Sequence, residues 1–558
     1  MGKKDRRMVS KTNWIGIDTE WYGHYGALHR PGGSFACLTA DEGSRTLLIQ
    51  DFDSARQYLR DKQSHRLVFQ NAAYDIRQLR DHGLVGQDWR PDIWDTLIVE
   101  KALYSGYYQK FGLQDLARRW LSKHVAKELG STFADATSMN TEMKQYATAD
   151  AELTRKVSLL QNQYVENSHD TFAVYHEIDT PALWAILDMA PIRVDVDAWL
   201  DHSDTLLERG LAIQDKLGFN VKSQPQVQKA LKGTGLKLRS GTSCNSQALE
   251  GWRIEAEEKG LTKRVSLISE IQEARKLRDA ASKYGRRWIE TNVEDGEWVY
   301  PSWKVTGAKT GRMSCSDPNM QNIPAREMPI YRSFFLANDG NTMVISDVAQ
   351  QEPRFSAFLS KDKKLVEEIL NEVDLHQQAA DHFGLKSRSK GKVINLGLNY
   401  GMSAHGLASR LDISLDEAER GLRNRRNHYS RYYAWQDRQK RLAERLGYVE
   451  TAIGRRVWVN KYNIQWERNA INAPIQGSAA DQTKLALVYI HEQCAAAGIK
   501  FPVTMVIHDE IVAQAPRGTV TQYKKIIKEA WQEAGKKLMP TIPTEVEMMK
   551  GKTWLEGK

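Results

Sequence analysis

The sequence predicts an α/β protein of several domains, and three observations carry that prediction. At 558 residues the chain exceeds the size at which one hydrophobic core keeps growing, so two or more domains are expected. Short apolar runs within Trp14 to Trp21, Leu67 to Gln70 and Met343 to Ile345 have the length of buried strands, and each runs into carboxylates. From about Ala182 to Thr291, and again through Arg388 to Tyr400, the pattern turns helical and amphipathic.

The totals narrow the partners. Lys plus Arg exceed Asp plus Glu by 79 to 70, a net +9 with a pI near 9.0, which favours a polyanion such as nucleic acid. Cys37, Cys244, Cys315 and Cys494 are scattered and form no CxxC pair, so neither a zinc site nor a disulfide framework is expected. No apolar run approaches the roughly 18 residues of a membrane span. Met1-Gly2-Lys3-Lys4 lacks the apolar core of a signal peptide. A cytoplasmic protein with no membrane partner is expected.

In WIGIDTEW, Asp18 and Glu20 stand two apart on a strand and share a face, where they repel. The strand at Leu67 to Gln70 leads into Asn71-Ala72-Ala73-Tyr74-Asp75, and Tyr146 and Asp150 stand four apart on a helical face. Each acid alone reads as a surface charge. Together they need a shared counter-charge, for which a pair of Mg²⁺ ions about 4 Å apart is the usual solution in phosphodiester hydrolysis. Asp95 reads equally as a further ligand or a helix cap. The order DxE, NxxYD, YxxxD resembles the proofreading 3′–5′ exonuclease domain, whose fold is ribonuclease H-like. That resemblance implies Asp18, Glu20, Asp75 and Asp150 as metal ligands and Tyr146 as the group orienting the attacking water. Only a basic tail precedes Trp14, so the 5′ nuclease domain of many cellular relatives is not expected.

The helical stretch that follows carries basic clusters such as Lys229, Lys232, Lys237 and Arg239, which taken alone read as a solvated face. The turn-rich TGAKTGR (Thr306 to Arg312) and SDPNMQNIP (Ser316 to Pro324) come next. In TMVISDVAQQEPR (Thr342 to Arg354) a buried strand ends on Asp347, with Glu352 five residues on. An Asp there ordinarily caps the next helix. A hairpin pattern, MVIHDEIVA, places His508, Asp509 and Glu510 at its tip, and like charges at a turn are costly unless a cation neutralises them. Asp347 and Asp509 are therefore expected to share a metal pair. Between them, Arg388, Lys392, Leu396 and Tyr400 recur every four residues along roughly 18 Å of helix that Gly401 would end. Ser414 and Glu417 form a capping-box pattern, and the aromatics from Tyr429 to Trp435 read as packing rather than stacking on template. In WERNAINAPIQGSAAD, Arg468, Asn472 and Gln476 stand four apart, with Pro474 expected to kink the helix.

These motifs resemble those of family A DNA polymerases, the DNA polymerase I family, over nearly the whole chain. The resemblance implies an exonuclease domain over 1–175 and a right-hand polymerase domain over 176–558. Its thumb would span about 195–300, its palm about 301–365 and 445–558, and its fingers about 366–444. Under it Asp347 and Asp509, with the carbonyl of Val348, hold two metals per site, Mg²⁺ or alternatively Mn²⁺, and Glu510 belongs to the catalytic group. Arg388, Lys392 and His376 hold the incoming triphosphate, Leu396 and Tyr400 lie by sugar and base, and Gln350 and Glu352 complete the pocket. Glu352 with Tyr400 would exclude a 2′-hydroxyl. Arg312, Gln321, Asn322, Arg468, Asn472, Gln476 and His508 would contact primer and template. Leu396 departs from the family's Phe or Tyr, and Val348, Gln351 and Pro353 depart from residues common in the first palm motif; Gln351 has no explanation in the sequence. The implied partners are primer–template DNA and dNTPs, for a monomer; nothing in the sequence identifies a helicase, primase or single-strand-binding partner. A phage replicative enzyme, acting in the host cytoplasm, is the expectation. The rival readings are a stand-alone exonuclease with a DNA-binding module and a single-subunit RNA polymerase.

Overall fold

The computed structural model describes residues 13–23, 33–124, 130–239, 241–399 and 402–556. In its N-terminal part the strands lie in the order Thr46–Ile49, Ser34–Asp41, Trp14–Tyr22, Arg66–Phe69 and Ile93–Asp95. The first three pair antiparallel, and the last two continue parallel from Trp14–Tyr22. The parallel pair Arg66–Phe69 and Ile93–Asp95 is bridged by the helix Ala72–Asp81, the crossover that parallel pairing requires. The long helix Thr141–Glu166 lies hard on the central strand: a Cβ on Gly16 would meet the Ala151 carbonyl oxygen at 2.1 Å.

The chain then passes through His169–Ala173 and a π-helical turn, Val174–Asp179, into the helix Thr180–Leu187. Tyr175, Ile178 and Asp179 of the turn are buried, and the 175/176 boundary expected from the sequence falls inside it. Asp179 meets a fully buried ion cluster there. Arg455 donates both terminal nitrogens to it at 2.8 and 2.9 Å and its Nε to Asp481 at 2.8 Å, while Lys484 donates to Asp179 at 2.5 Å. Burial works to raise the Asp179 pKa, but the two cations outweigh it and hold the carboxyl below its ordinary range.

The middle of the chain is helical as expected. Val196–Leu217 packs against Thr262–Lys283, with Val221, Leu231, Leu249 and Ile268 in a separate small core. Beyond it lies an antiparallel sheet in the order Val503–Ile507, Glu510–Pro516, Asn341–Val348, Val546–Gly551. Two helices back it, Trp466–Ala496 and Val520–Leu538. Trp466–Ala496 is one helix with Pro474 inside it. From Lys363 to Leu446 the described residues form a succession of helices. The capping box at Ser414 forms as the sequence predicts, and Tyr429 and Trp435 are buried, in agreement with packing roles. Tyr400 and Gly401 lie outside the described residues.

Two outcomes follow. Asp179→Ala leaves Arg455 and Lys484 with one buried carboxylate between them and should cost about 3–5 kcal/mol in equilibrium urea unfolding; a loss below about 1 kcal/mol would show that the cluster is dispensable. His176, packed 4.3 Å from the Phe172 ring, is lowered to about 4 by burial and by Arg66. The unfolded chain, with an ordinary histidine, binds the extra proton, so this stability is whole above pH 6.5 and is lost as pH falls toward 4. His176→Gln should remove roughly 3 kcal/mol of acid sensitivity across that window, read by thermal unfolding at a series of pH values.

Candidate active site

Asp347 occupies the strand Asn341–Val348 directly opposite Glu510 in the antiparallel register, and the Val348 N–H donates to the Asp509 carbonyl at 3.3 Å. Asp347, near the end of its strand, and Asp509, in the loop beside it, thus lie at the same end of the sheet, although 162 residues of sequence separate them (509 − 347). His508 and Asp509 form a two-residue hairpin loop with His508 at φ +60°, the left-handed geometry that such turns need and that a non-glycine adopts only when its surroundings impose it. Gln350, at φ +53°, turns the chain from the strand into the helix Gln351–Ser360 and so brings Glu352 into its first turn. Gln351 now has a role: its amide donates to the Ala479 carbonyl, the Gln482 side chain and Thr483 Oγ1 at 3.1–3.4 Å, fastening that helix to Trp466–Ala496.

Above this sheet end opens a cleft of about 970 Å³. Its walls include Arg312, Gln321, Gln350, Glu352, His376, Arg388, Leu396, Asn472, Gln476, His508 and Asp509, eleven of the residues singled out in the sequence. Leu396 is 42% exposed and faces the space. His376 shares a hydrogen bond of 3.0 Å with Asn395; burial, then the charge of Arg388, lowers its pKa. A Cβ on Gly391 would meet the His376 carbonyl at 1.7 Å, so glycine lets the helix Arg388–Asn399 seat against Leu375–His382. Arg388 is ion-paired with Asp374, and Arg312 with Glu352.

Other expected residues, Asp347 among them, lie outside the lining. Lys392 sits between Arg388 and Leu396 on the same helix. Arg468 is one turn before Asn472, within 3.4 Å of Gln465. Asn322 is exposed, and its carbonyl accepts from the Tyr284 hydroxyl at 2.7 Å. Val348 is buried. Glu510 is also buried beneath the site, accepting from the Trp554 indole at 2.6 Å with Arg332 at 3.6 Å. Sequence reading passed over Arg332. It is buried over the Trp554 ring at 4.0 Å; burial lowers its pKa against the opposing charges of Glu510 and Asp347. An arginine inside the apolar run from Ile330 to Phe335 was the available signal.

The N-terminal acids also converge. Asp18 and Glu20 come from the central strand, Asp75 from the first turn of Ala72–Asp81, and Tyr146 and Asp150 from Thr141–Glu166. Thr19 donates to Asp75 at 2.7 Å, and Tyr146 is hydrogen-bonded to Asp150. Burial, then the neighbouring carboxylates, pushes Asp18 well up and Glu20 to about 8. Burial also carries Asp75 to about 7 and Asp150 to about 6. Asp95 resolves as a cap: it accepts from Leu97 and Ile98 N–H at 2.9 and 3.3 Å, and from Asn71 and Ala72 at the head of the Asp75 helix. Asp18 Oδ2 is buried without a hydrogen-bond partner among the described residues. Crowded, desolvated carboxylates with an unmatched oxygen are a hard-donor set suited to a divalent cation. The fit is one of charge and donor type, since among the described residues no three such groups already close on one point.

Residues 202–556 match the model of DNA polymerase family A, and residues 6–162 that of a 3′–5′ exonuclease. DNA polymerase I of Aquifex aeolicus is 26% identical over 99% of this chain and 97% of its own length. A thermostable DNA polymerase I of Thermus filiformis is 30% identical over 72% of this chain, which spans 50% of that longer relative. Among solved structures, the POL domain of Pol1 from M. smegmatis, in complex with DNA primer–template and dNTP, has the same fold at TM-score 0.79 and 23% identity, covering 98% of each chain. No helix among the described residues is long and apolar enough to cross a membrane. With the family A model matched over more than half of the chain and the exonuclease model over its N-terminal part, the chain belongs to the family A DNA polymerases and carries a 3′–5′ exonuclease domain.

Proposed function

We propose that the Asp347/Asp509 cleft extends a primer 3′ end with deoxynucleotides on a DNA template, and that the Asp18, Glu20, Asp75 and Asp150 cluster removes nucleotides from that end. The exonuclease would occupy about 1–175 and the polymerase about 176–558. One observation carries the reading: Asp347, near the end of its strand, and Asp509, in the neighbouring hairpin loop, lie at one end of the sheet, where a cleft presents Asp509, Arg388, His376 and Leu396. The ligands printed for the mycobacterial neighbour, primer–template and dNTP, support the same substrates here.

Both domains of this family depend on divalent metal. A pair of Mg²⁺ or Mn²⁺ ions held by Asp347 and Asp509 would activate the 3′-hydroxyl and offset the charge on the departing pyrophosphate. The remaining work is positioning and electrostatics. Arg388, Lys392 and His376 take the triphosphate, and for this Arg388 exchanges its Asp374 partner for a phosphate. Glu352, held by Arg312, closes the pocket where a ribose 2′-oxygen would lie. Asn472, Gln476 and Gln321 face the primer-end base pairs, where contacts read shape more than sequence. In the editing site Tyr146, tied to Asp150, orients the water. Arg332 tethers Glu510 behind Asp347 and so fixes the floor.

Asp509→Ala should reduce primer extension by on the order of 10³-fold or more while single-stranded DNA is still degraded, and Asp18→Ala should do the reverse. One substitution that removed both activities from a folded protein would refute two separate sites. Leu396→Phe should change extension rate or dideoxynucleotide use by about tenfold; unchanged kinetics in single-turnover assays would mean that this side chain does not meet the sugar.

A further inference from the structure

We propose that a second groove, between the exonuclease domain and the segment from Glu444 to Asn463, holds the unpaired template strand on its way into the palm cleft. The inference rests on the reading of that cleft as the site of synthesis. The groove has a volume of about 600 Å³ and shares Asn472 and Gln476 with the cleft, so the two spaces adjoin.

Its chemistry suits single-stranded nucleic acid. Lys309, Arg445 and Lys461 line it against one acid, Glu444, and Lys461 lies 5.7 Å from the Tyr462 ring. Tyr462 is 88% exposed, and the neighbouring Ile464 98%, more than any other large apolar side chain among the described residues; Tyr107 on the facing wall is 57% exposed. The loop that presents Tyr462 is built rather than loose. Asn460 Oδ1 accepts from the Tyr462 N–H at 2.9 Å, and Asn463 Oδ1 from the Gln465 N–H at 2.8 Å.

The two walls are also clamped together. Ser105 accepts from the Trp458 N–H at 2.9 Å, Leu103 accepts from the Trp458 indole at 2.8 Å, and the Tyr107 and Trp458 rings meet edge-on at 4.9 Å. Cations that follow a phosphate chain, with aromatic faces on which bases stack, bind unpaired strands with little regard to sequence. None of Asp18, Glu20, Asp75 or Asp150 lines the groove. The groove adjoins the cleft at Asn472 and Gln476 instead, which favours the incoming template over a primer end bound for hydrolysis.

The test compares primer–templates with a single-nucleotide overhang and with an overhang of about eight nucleotides, bound to the full chain in EDTA and followed by fluorescence anisotropy. The native chain should bind the long overhang more tightly. Tyr462→Ala should weaken that binding about tenfold, leave the single-nucleotide substrate and its extension in Mg²⁺ unchanged, and be rescued by Tyr462→Phe. Lys461→Ala with Arg445→Ala should flatten the salt dependence on the long overhang only. Equal loss on both substrates, or no loss on either, would overturn the proposal. A loss confined to frayed, mismatched primer ends would overturn it by assigning the groove to the primer. A native chain that failed to extend even the single-nucleotide substrate would refute the reading of the cleft instead.

Discussion

Four charges with no access to water, on Arg455, Asp179, Asp481 and Lys484, fix the frame in which both sites are held. Two cations and two carboxylates taken out of solvent are tolerable only where each is met by partners in good geometry. The cluster therefore admits little relative movement of the segments that contribute to it. Asp179 ends the π-turn that leads out of the exonuclease domain, Arg455 belongs to the turn between the strands Tyr448–Glu450 and Arg456–Trp458, and Asp481 and Lys484 sit on the helix that offers Asn472 and Gln476 to the cleft. Gly311 lies against it as well: a Cβ there would meet Arg455 Cδ at 2.8 Å. The next residue, Arg312, holds Glu352. One buried ion cluster thus reaches from the exit of one domain to the wall of the other's cleft.

The two carboxylate sites solve the same charge problem differently. At the end of the four-stranded sheet, Asp347 and Asp509 are half-buried, and Arg332 beneath them supplies a permanent counter-charge that Glu510 shares. In the exonuclease cluster the carboxylates crowd one another, and burial pushes all four toward their protonated forms. Such a crowd of buried acids favours a cation brought in to match its charge.

Much of this was legible in the sequence because it depends on local spacing. Alternation placed Asp18 and Glu20 on one strand face, four-residue spacing aligned Tyr146 with Asp150, and the acids at the MVIHDEIVA tip marked a hairpin. What the sequence withheld consists of contacts between residues remote along the chain. Arg455 and Asp179 are 276 residues apart, and nothing in the neighbourhood of either announces the other. Gln351 looked like an unexplained departure until the packing of its helix on Ala479 and Thr483 was seen. Asp95 went the opposite way, since its cap involves neighbours within three residues, yet its hold on Asn71 and Ala72 appears only in the fold. Glu510 shows the limit of motif reasoning: adjacent to Asp509 in sequence, it is buried among Trp554 and Arg332 instead of lining the cleft.

The most direct measurement is anomalous scattering from crystals of this chain grown with Mn²⁺, because the account stands on carboxylates that meet to hold ions in two separate places. It predicts one set of peaks between Asp347 and Asp509 and another among Asp18, Glu20, Asp75 and Asp150. Crystals with the second set filled, primer–template and nucleotide bound, and no peak between Asp347 and Asp509 would contradict it.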